Sequence, residues 1–257
     1  MNTEQLTIIV LALVGASVGS FLNVCIYRLP RRESLVWPAS HCTSCGRTLA
    51  WYENVPIVGW LALRGRCRTC GERISIVYPI VEVVTAVVFV CGYLIYGWTP
   101  LLAARLLFAC AMIVLFVIDL QHQILPNVIT VPGIVIGFVL SVFLPPGWLS
   151  SLLGIVLGGG VLFAIMEGYA RARGFEGLGM GDVKMLAMIG AFLGWQLMLL
   201  TLVLASFAGS VVGIGLMATA RGGMKTALPF GTFLAVGALM SAVAGDAILT
   251  WYASFYR

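Results

Sequence analysis

Two acidic residues at the edges of apolar segments are the first candidates for chemistry. Asp119 ends one uncharged stretch, and Asp182 opens another after the approach Gly177-Leu178-Gly179-Met180-Gly181. A charged side chain in such a setting costs at least a few kcal/mol unless it meets a partner or water. Two carboxylates that share a site cannot both ionise cheaply, so one keeps its proton while the other can activate water. The pair therefore predicts an aspartyl hydrolase.

The residues around Asp182 fit this interpretation. Gly179 and Gly181 permit positive φ angles and would let an extended substrate backbone approach the acid. Lys184 either tunes the pKa of Asp182 or extends its side chain to the lipid headgroups. Taken alone, the two acids are also compatible with snorkelling or salt-bridged helix ends, and with a proton or ion path. The residue pattern leaves these alternatives open.

Four cysteines form a second candidate site. Cys42-x2-Cys45 and Cys67-x2-Cys70 are each followed by a glycine, and 21 residues separate the two pairs. This spacing suits a closed tetrahedral zinc site, and neighbouring arginines would lower the pKa of the thiols. Two disulfides or a redox pair are the alternatives, which a cytoplasmic location disfavours. We expect structural zinc to stabilise a segment that is too small for a core of its own.

The remaining candidate side chains are expected to be structural. Glu82 lies one turn inside an apolar segment and is predicted to pair with a basic residue, with substrate binding as the alternative. Glu167 should form an i,i+4 pair with Arg171. His41 and His122 are interpreted as bystanders and Asp246 as solvated. The other cysteines, Cys25, Cys91 and Cys110, are predicted to be small core residues of apolar helices.

The elements that must position these residues are membrane-spanning helices. Of the 257 residues, 61% are hydrophobic and 10% charged, with a mean hydropathy of +1.04, which excludes an average soluble domain. At about 20 residues per span, the chain holds about eight transmembrane helices. We predict an all-α polytopic membrane protein with spans near 6–27, 80–96, 101–118, 128–144, 149–170, 185–220 in two pieces and 229–252. Gly194-Trp195-Gln196 is the expected break in the long stretch.

The composition also divides the chain. Residues 1–27 form the first transmembrane helix, 28–78 a small four-cysteine insert resembling a zinc ribbon, and 79–257 a helical membrane core. With the N-terminus outside, 13 of the 15 basic residues lie on the cytoplasmic side, and only Arg105 and Arg257 lie outside. This bias supports a cytoplasmic insert and places both aspartates at the cytoplasmic face. No nucleic-acid partner is expected, and the oligomeric state is not indicated.

Several motifs together resemble the bacterial type IV prepilin peptidases over almost the full chain. They include Gly19-Ser20-Phe21-Leu22-Asn23, Tyr78-Pro79-Ile80-Val81-Glu82 and the four-cysteine box. They also include Leu125-Pro126-Asn127, Gly179-Met180-Gly181-Asp182-Val183-Lys184 and Pro229-Phe230-Gly231. The Gly-x-Gly-Asp element is shared with the wider class of intramembrane aspartyl proteases. Thr43 and Thr232 stand where many relatives carry proline, and neither change removes a reactive group.

The resemblance implies that Asp119 and Asp182 are the catalytic dyad of an inner-membrane enzyme. Its substrates would be prepilins or pseudopilins of pilus and type II secretion systems, whose basic leader is cut after a glycine. The new N-terminal amine would then be methylated with S-adenosylmethionine, for which no glycine fingerprint is found here. Glu82 would support substrate binding or methyl transfer. A proton-coupled transporter and a zinc-dependent membrane scaffold are the competing functions.

Overall fold

The computed structural model describes residues 2–173, 179–218 and 228–255, most of which lie in helices. Gly177 and Leu178 of the glycine-rich approach, the basic residues Arg221 and Lys225, and Arg257 lie outside the described residues. In chain order the elements are α1 (Thr3–Arg28), a 3-10 helix (Trp51–Asn54), α2 (Val58–Ala62), α3 (Val77–Tyr96), α4 (Pro100–His122), α5 (Asn127–Ser141), α6 (Trp148–Arg173), α7 (Met180–Ala218) and α8 (Phe230–Ser254).

The number of apolar helices agrees with the predicted membrane protein. Six helices in the described ranges are long and apolar enough to cross a bilayer: α1, α3, α4, α6, α7 and α8. The apolar helix α5 is shorter, at 15 residues. The 39-residue α7 contains Gly194 with φ 81° and ψ 173°, so it consists of two helical pieces. Counting these pieces separately gives eight apolar segments, and the predicted break at Gly194 is confirmed.

The chain forms two compact units, Met1–Val114 and Leu115–Arg257. In the first unit, α1 packs closely against α3. A Cβ on Gly15 would lie 2.8 Å from the Ala86 Cα, and one on Gly19 would lie 2.7 Å from the Glu82 Cα. Small residues therefore let the two helix backbones approach each other, as is common between membrane helices. The buried Asn23 amide also donates to the Tyr78 carbonyl at 3.0 Å.

A buried arginine joins α1 to the polar segment that follows it. The guanidinium of Arg28 donates to the carbonyls of Ser34 at 2.8 Å and Pro38 at 2.6 Å. Only 5% of Arg28 is exposed. Because both acceptors are backbone carbonyls, the guanidinium fixes the path of the chain as it leaves the helix. The segment therefore starts from a defined position at the end of a spanning helix.

In the second unit, the first piece of α7 is the central element. Every residue from Asp182 to Gly194 except Lys184 is buried. Helices α5, α6 and α8 pack against α7. The contact with α6 is made directly between backbones, since a Cβ on Gly154 would lie 2.5 Å from the Gly190 carbonyl oxygen. This short piece fits the expectation that an incomplete span must pack against protein.

The outward faces of the helices are apolar. On α5, the exposed side chains Val128, Val131, Val135 and Val139 recur every three or four residues. Such a stripe on a water-exposed helix would be unfavourable, whereas lipid tails solvate it well. The chain is therefore an integral membrane protein.

Candidate active site and metal centre

Asp119 lies near the end of α4 and is buried, with 4% of its surface exposed. Its Oδ2 accepts two hydrogen bonds from Thr232 at the start of α8. The Thr232 backbone N–H lies 2.7 Å away and its hydroxyl 3.1 Å away. The N–H belongs to the first turn of a helix, where amides lack intrahelical partners and attract negative charge. The carboxylate of Asp119 thus satisfies the free N-terminus of α8.

Asp182 lies in the first turn of α7 and is also buried. Its Oδ2 accepts one longer hydrogen bond, from the Gly179 N–H at 3.3 Å. The backbone N–H of Asp182 in turn donates to the Gly179 carbonyl at 3.1 Å. Asp182 is therefore held by local contacts at its own helix start, whereas Asp119 is held by a helix that is distant in sequence.

The fold brings these two carboxylates together. Although 62 residues separate them in sequence, they are near enough to interact electrostatically. Leu125, which follows α4 in the chain, packs against the starts of α7 and α8. A Cβ on Gly181 would lie 3.0 Å from the Leu125 Cβ, and one on Gly231 would lie 2.9 Å from the Leu125 Cδ1. The structure thus has one buried acid near the C-terminal end of α4 and another at the N-terminal end of α7.

The glycines of the site act through close packing. Gly181 does not use the positive φ angles that glycine permits. Gly181 lies inside the first turn of α7, and its missing side chain makes room for Leu125. A Cβ on Gly231 would also lie 3.0 Å from the Asp119 Oδ2. The physical reason for glycine at both helix starts is therefore the space taken by Leu125 and by the carboxylate.

Lys184 does not pair with Asp182 in the described part of the chain. Its Nζ donates to the Asn127 Oδ1 at 2.9 Å, and the salt bridges there are formed by Arg47 with Glu53 and by Arg171 with Glu167. Neither of the roles predicted for Lys184, an effect on Asp182 or extension to the lipid headgroups, included this partner on α5. No described cation lies within 4.0 Å of either aspartate. Two neighbouring acids without a counter-ion disfavour the salt-bridge interpretation and favour a shared proton.

The four cysteines converge on a second site, in the first unit. The Sγ atoms of Cys42, Cys45, Cys67 and Cys70 all lie within 4.8 Å of one another. Cys42 and Cys70 are 3.8 Å apart, and Cys45 and Cys67 are 4.0 Å apart. A tetrahedral zinc with bonds of about 2.3 Å would separate its sulfur ligands by about 3.8 Å. All seven cysteines are free thiols, so the four are positioned to bind a metal ion and form no disulfide.

Two similar turns present the sulfurs. In the first, the Cys42 N–H donates to the Arg47 carbonyl and the Gly46 N–H to the Cys42 carbonyl, both at 2.9 Å. In the second, the Cys67 N–H donates to the Glu72 carbonyl at 2.8 Å and the Gly71 N–H to the Cys67 carbonyl at 3.0 Å. Gly46 and Gly71 have φ of 70° and 72°, which residues with a side chain rarely adopt. Each pair of cysteines thus lies in a turn that closes at a glycine.

Backbone amides tune the thiols more than the neighbouring arginines do. The amides of Cys70 and Thr69 lower the pKa of Cys67 to about 6. For Cys70, the hydrogen bond from the Glu72 amide lowers the pKa, but burial and the three other thiols outweigh it and raise the value to about 12. One thiolate therefore forms readily, and the like charges around it oppose the next. A bound cation would relieve this repulsion.

The arginines near the cysteines are engaged within the polar segment. The Arg47 Nη2 lies 2.9 Å from both carboxylate oxygens of Glu53, whose Oε2 also accepts from the Ala50 N–H at 2.9 Å. These two contacts hold the pKa of Glu53 below its usual range, with the Arg47 hydrogen bond as the larger cause. Arg68 donates to the Tyr52 hydroxyl at 2.8 Å.

Glu82 has a backbone partner where a basic side chain was expected. Its Oε2 accepts a hydrogen bond from the Ile57 N–H at 2.7 Å. It forms no salt bridge with any residue that the structure describes. The residue is 7% exposed, and Ile57 has a positive φ of 64°. Glu82 thus holds α3 against the segment after the 3-10 helix. No sequence pattern predicted this contact.

The minor predictions have mixed outcomes. The pair of Glu167 with Arg171 is confirmed at 2.9 Å, and His122 and Asp246 are exposed as expected. Of the three cysteines in apolar helices, Cys25 is buried and Cys110 half-buried. Cys91 is exposed and is not a core residue.

Thr232 is the contact residue that sequence reasoning passed over. Its signal was its position, since it follows Pro229-Phe230-Gly231 at the beginning of an apolar helix, where free backbone amides are expected. In the sequence, Thr232 was notable only because many relatives carry proline at this position. Only the fold shows that both of its donors meet Asp119.

Comparisons with known proteins agree on one family. The family described as "Bacterial Peptidase A24 N-terminal domain" matches residues 13–96, and the "Type IV leader peptidase family" matches residues 106–214. Three relatives bear the name prepilin leader peptidase/N-methyltransferase. The one from Myxococcus xanthus is 45% identical over 84% of this chain and 65% of its own length.

The other two relatives match over nearly their whole length. The protein from Pseudomonas putida is 36% identical over 91% of this chain and 90% of its own length. The protein from Aeromonas salmonicida is 35% identical over 94% and 92%, respectively. No solved structure matches the chain.

Proposed function

This chain belongs to the type IV leader peptidase family, and from that membership we propose that it removes the leader of prepilins and methylates the new N-terminus. The proposal is supported most directly by the two buried carboxylates of α4 and α7, which have no counter-ion in the described part of the chain. Asp119 and Asp182 would be the catalytic pair, and Gly179, Gly181 and Lys184 would shape the loop beside them. Pseudopilins are included as substrates by the family resemblance.

The hydrolysis needs one acid and one base. One carboxylate takes a proton from a water molecule, and the water oxygen bonds to the carbonyl carbon of the scissile peptide. The other carboxyl group gives its proton to the carbonyl oxygen. When the tetrahedral intermediate collapses, the C–N bond breaks, the carboxyl group that took the water proton gives it to the leaving nitrogen, and a diol hydroxyl returns its proton to the other carboxylate. Burial of both aspartates favours this chemistry because it limits their exchange with bulk water.

The four-cysteine segment, residues 28–78, would be a cytoplasmic domain with zinc as its structural metal. The four-sulfur donor set and the sulfur separations near 3.8 Å fit zinc. Residues 1–27 would be the first span and residues 79–257 the peptidase core. The distribution of the basic residues supports an N-terminus outside and a cytoplasmic segment, and the family resemblance supports the inner membrane of a bacterium.

Methyl transfer is the second proposed activity. S-Adenosylmethionine would supply an electrophilic methyl group for the new amine, which loses a proton on methylation. The names of the relatives support this activity, and no described residue is assigned to the cofactor. Glu82 would contribute indirectly, because its hydrogen bond to Ile57 holds the polar segment against α3.

The test is cleavage of a prepilin-like substrate in lipid by the unmodified protein, Asp119→Asn and Asp182→Asn. Each substitution should reduce the rate by roughly 10³-fold or more, because the proton can no longer be relayed. Asp246→Asn is the matched control, since Asp246 is an exposed acid of α8. It should cleave normally, and all variants should keep the same unfolding temperature.

A different result would refute the peptidase assignment. If the unmodified protein cuts nothing, or if both aspartate variants cut as fast as Asp246→Asn, the two acids are not a catalytic pair. The proton-coupled transporter, which would use the same acids as a relay, is then the next function to test. Methylation of a substrate that has already been cleaved is measured separately.

A further inference from the structure

The two aspartates of the proposed active site have unequal surroundings. The Oδ2 atom of Asp119 accepts hydrogen bonds from the N–H and the hydroxyl of Thr232, at 2.7 and 3.1 Å. Among the described residues, the hydrogen bond that reaches the Asp182 carboxylate is one of 3.3 Å from the Gly179 N–H. Thr232 is itself buried, with 7% of its surface exposed. Water therefore competes little for the two donors.

This difference has an electrostatic meaning. Hydrogen bonds to a carboxylate favour its charged form, and bonds to a charged group are about twice as strong as neutral ones. The N–H of Thr232 also belongs to the positive end of the α8 helix dipole. Asp119 is thus the carboxylate whose charge the protein stabilises better. When two acids share one proton, it resides on the less stabilised partner, which here is Asp182.

The contact also fixes an orientation. Both donors of Thr232 engage the same oxygen, Oδ2, and no described donor is bonded to Oδ1. Two bonds from one residue to one atom restrict rotation of the carboxylate about its own axis. Gly231 helps, because a Cβ there would lie 3.0 Å from the same oxygen. The Oδ1 atom is left as the basic atom available to a water molecule.

We propose that Thr232 is the positioning residue of the hydrolysis, holding Asp119 as the charged base while Asp182 keeps the proton. This rests on the proposed peptidase function. The Oδ1 atom of Asp119 takes a proton from water, and the water oxygen bonds to the scissile carbonyl carbon. Asp182 gives its proton to the carbonyl oxygen. Thr232 acts through its two hydrogen bonds to Asp119.

The test compares Thr232→Val with Thr232→Ser in the lipid cleavage assay. Valine keeps the shape and the backbone N–H but loses the hydroxyl, whereas serine keeps both donors. Loss of one hydrogen bond to a charged group should lower kcat about tenfold and leave KM within about twofold, because the ground-state binding of the peptide is unaffected. Thr232→Ser should remain within about twofold of the unmodified kcat.

Thr201→Val is the matched control for the loss of a buried threonine hydroxyl. The Thr201 hydroxyl is fully buried in α7 and, among the residues that the structure describes, bonds to the Leu197 carbonyl of its own helix alone, at 2.8 Å. A structural effect alone would therefore change kcat similarly in Thr201→Val and Thr232→Val, and that outcome would overturn the proposal. A rise in KM with kcat unchanged would overturn it as well.

The Asp119→Asn variant distinguishes a failure of the peptidase function from a failure of the proposed role of Thr232. If Asp119→Asn is inactive and Thr232→Val keeps its normal kcat, the peptidase function stands and the role of Thr232 is wrong. If Asp119→Asn cleaves normally, the function of the pair and the role of Thr232 both fall.

Discussion

The two sites of this protein are built in opposite ways. The four cysteines come from one stretch of chain, and two similar turns with short backbone hydrogen bonds present their sulfur atoms. Asp119 and Asp182 come from the ends of two spanning helices, and Asp119 depends on Thr232 from a third helix, 113 residues away. The metal site is thus defined by local turns, whereas the carboxylate pair is defined by helix packing.

This difference predicts how each site fails. A site made by local turns depends on its ligands and on the ion that joins them, since little else holds the segment together. A site made by packed helices depends on the fit between helices, so it can be damaged by residues that never touch the carboxylates. Three predictions examine this contrast, beginning with the largest effect.

Cys67→Ser should remove the metal and the order of the polar segment together. A structural zinc contributes on the order of 10 kcal/mol to the folding of such a segment, so its loss should expose residues 42–71 to protease. Metal content is measured by mass spectrometry on the purified protein, together with the rate of proteolysis.

Cys91→Ser is the control, because Cys91 is an exposed cysteine of α3 outside the cluster. It should retain one metal per chain, and so should Asp182→Asn. Metal that persists in Cys67→Ser, or a protein that carries none in its unmodified form, would contradict the assignment of the cluster.

Gly154→Ala should weaken the carboxylate site from a distance. Its new Cβ would lie 2.5 Å from the Gly190 carbonyl oxygen, so α6 must move away from the buried piece of α7 that begins with Asp182. Overpacking of this kind costs about 1–3 kcal/mol. We expect a lower unfolding temperature in lipid and slower cleavage, with metal content unchanged.

Gly160→Ala on the same helix is the matched control. A Cβ at Gly160 meets nothing within 4 Å, so alanine should be neutral or stabilising by up to about 1 kcal/mol. If both variants have the same unfolding temperature and cleavage rate, the contact between α6 and α7 tolerates a side chain. The carboxylate site would then not depend on close helix packing.

Glu53→Gln should have the smallest effect, and it should depend on pH. Arg47 holds the pKa of Glu53 below its usual value of about 4.3. The ion pair therefore stabilises the folded segment above that value, and the contribution is lost as the pH falls through the lower folded pKa. The glutamine variant should lose this acid sensitivity.

The measurement is hydrogen exchange of residues 42–60 between pH 3 and pH 6, in the unmodified protein and in Glu53→Gln. In the unmodified protein, protection should decline towards the acid end beyond the general loss that both proteins share. Identical profiles would show that the pair of Arg47 and Glu53 contributes nothing to the segment.

The sequence predicted most of the helices and the residue types of both sites. The unbroken apolar stretches, the basic residues and Gly194-Trp195-Gln196 predicted the helices and the break in α7, because solvation by lipid constrains composition directly. The cysteine spacing predicted the metal cluster, since ligands within one short segment need only local turns. The two acids stood out because charge is costly inside apolar helices.

The tertiary structure decided what those residues contact. Lys184 reaches Asn127, Glu82 accepts from the backbone of Ile57, and Gly181 makes room for Leu125 with an ordinary φ. None of these contacts follows from a local pattern, because each joins segments that are far apart in sequence. The difference between the two aspartates belongs to the same class, since it arises where the first turn of α8 meets the end of α4. Residue types thus determined which chemistry was available, and helix packing determined which carboxylate is better held in its charged form.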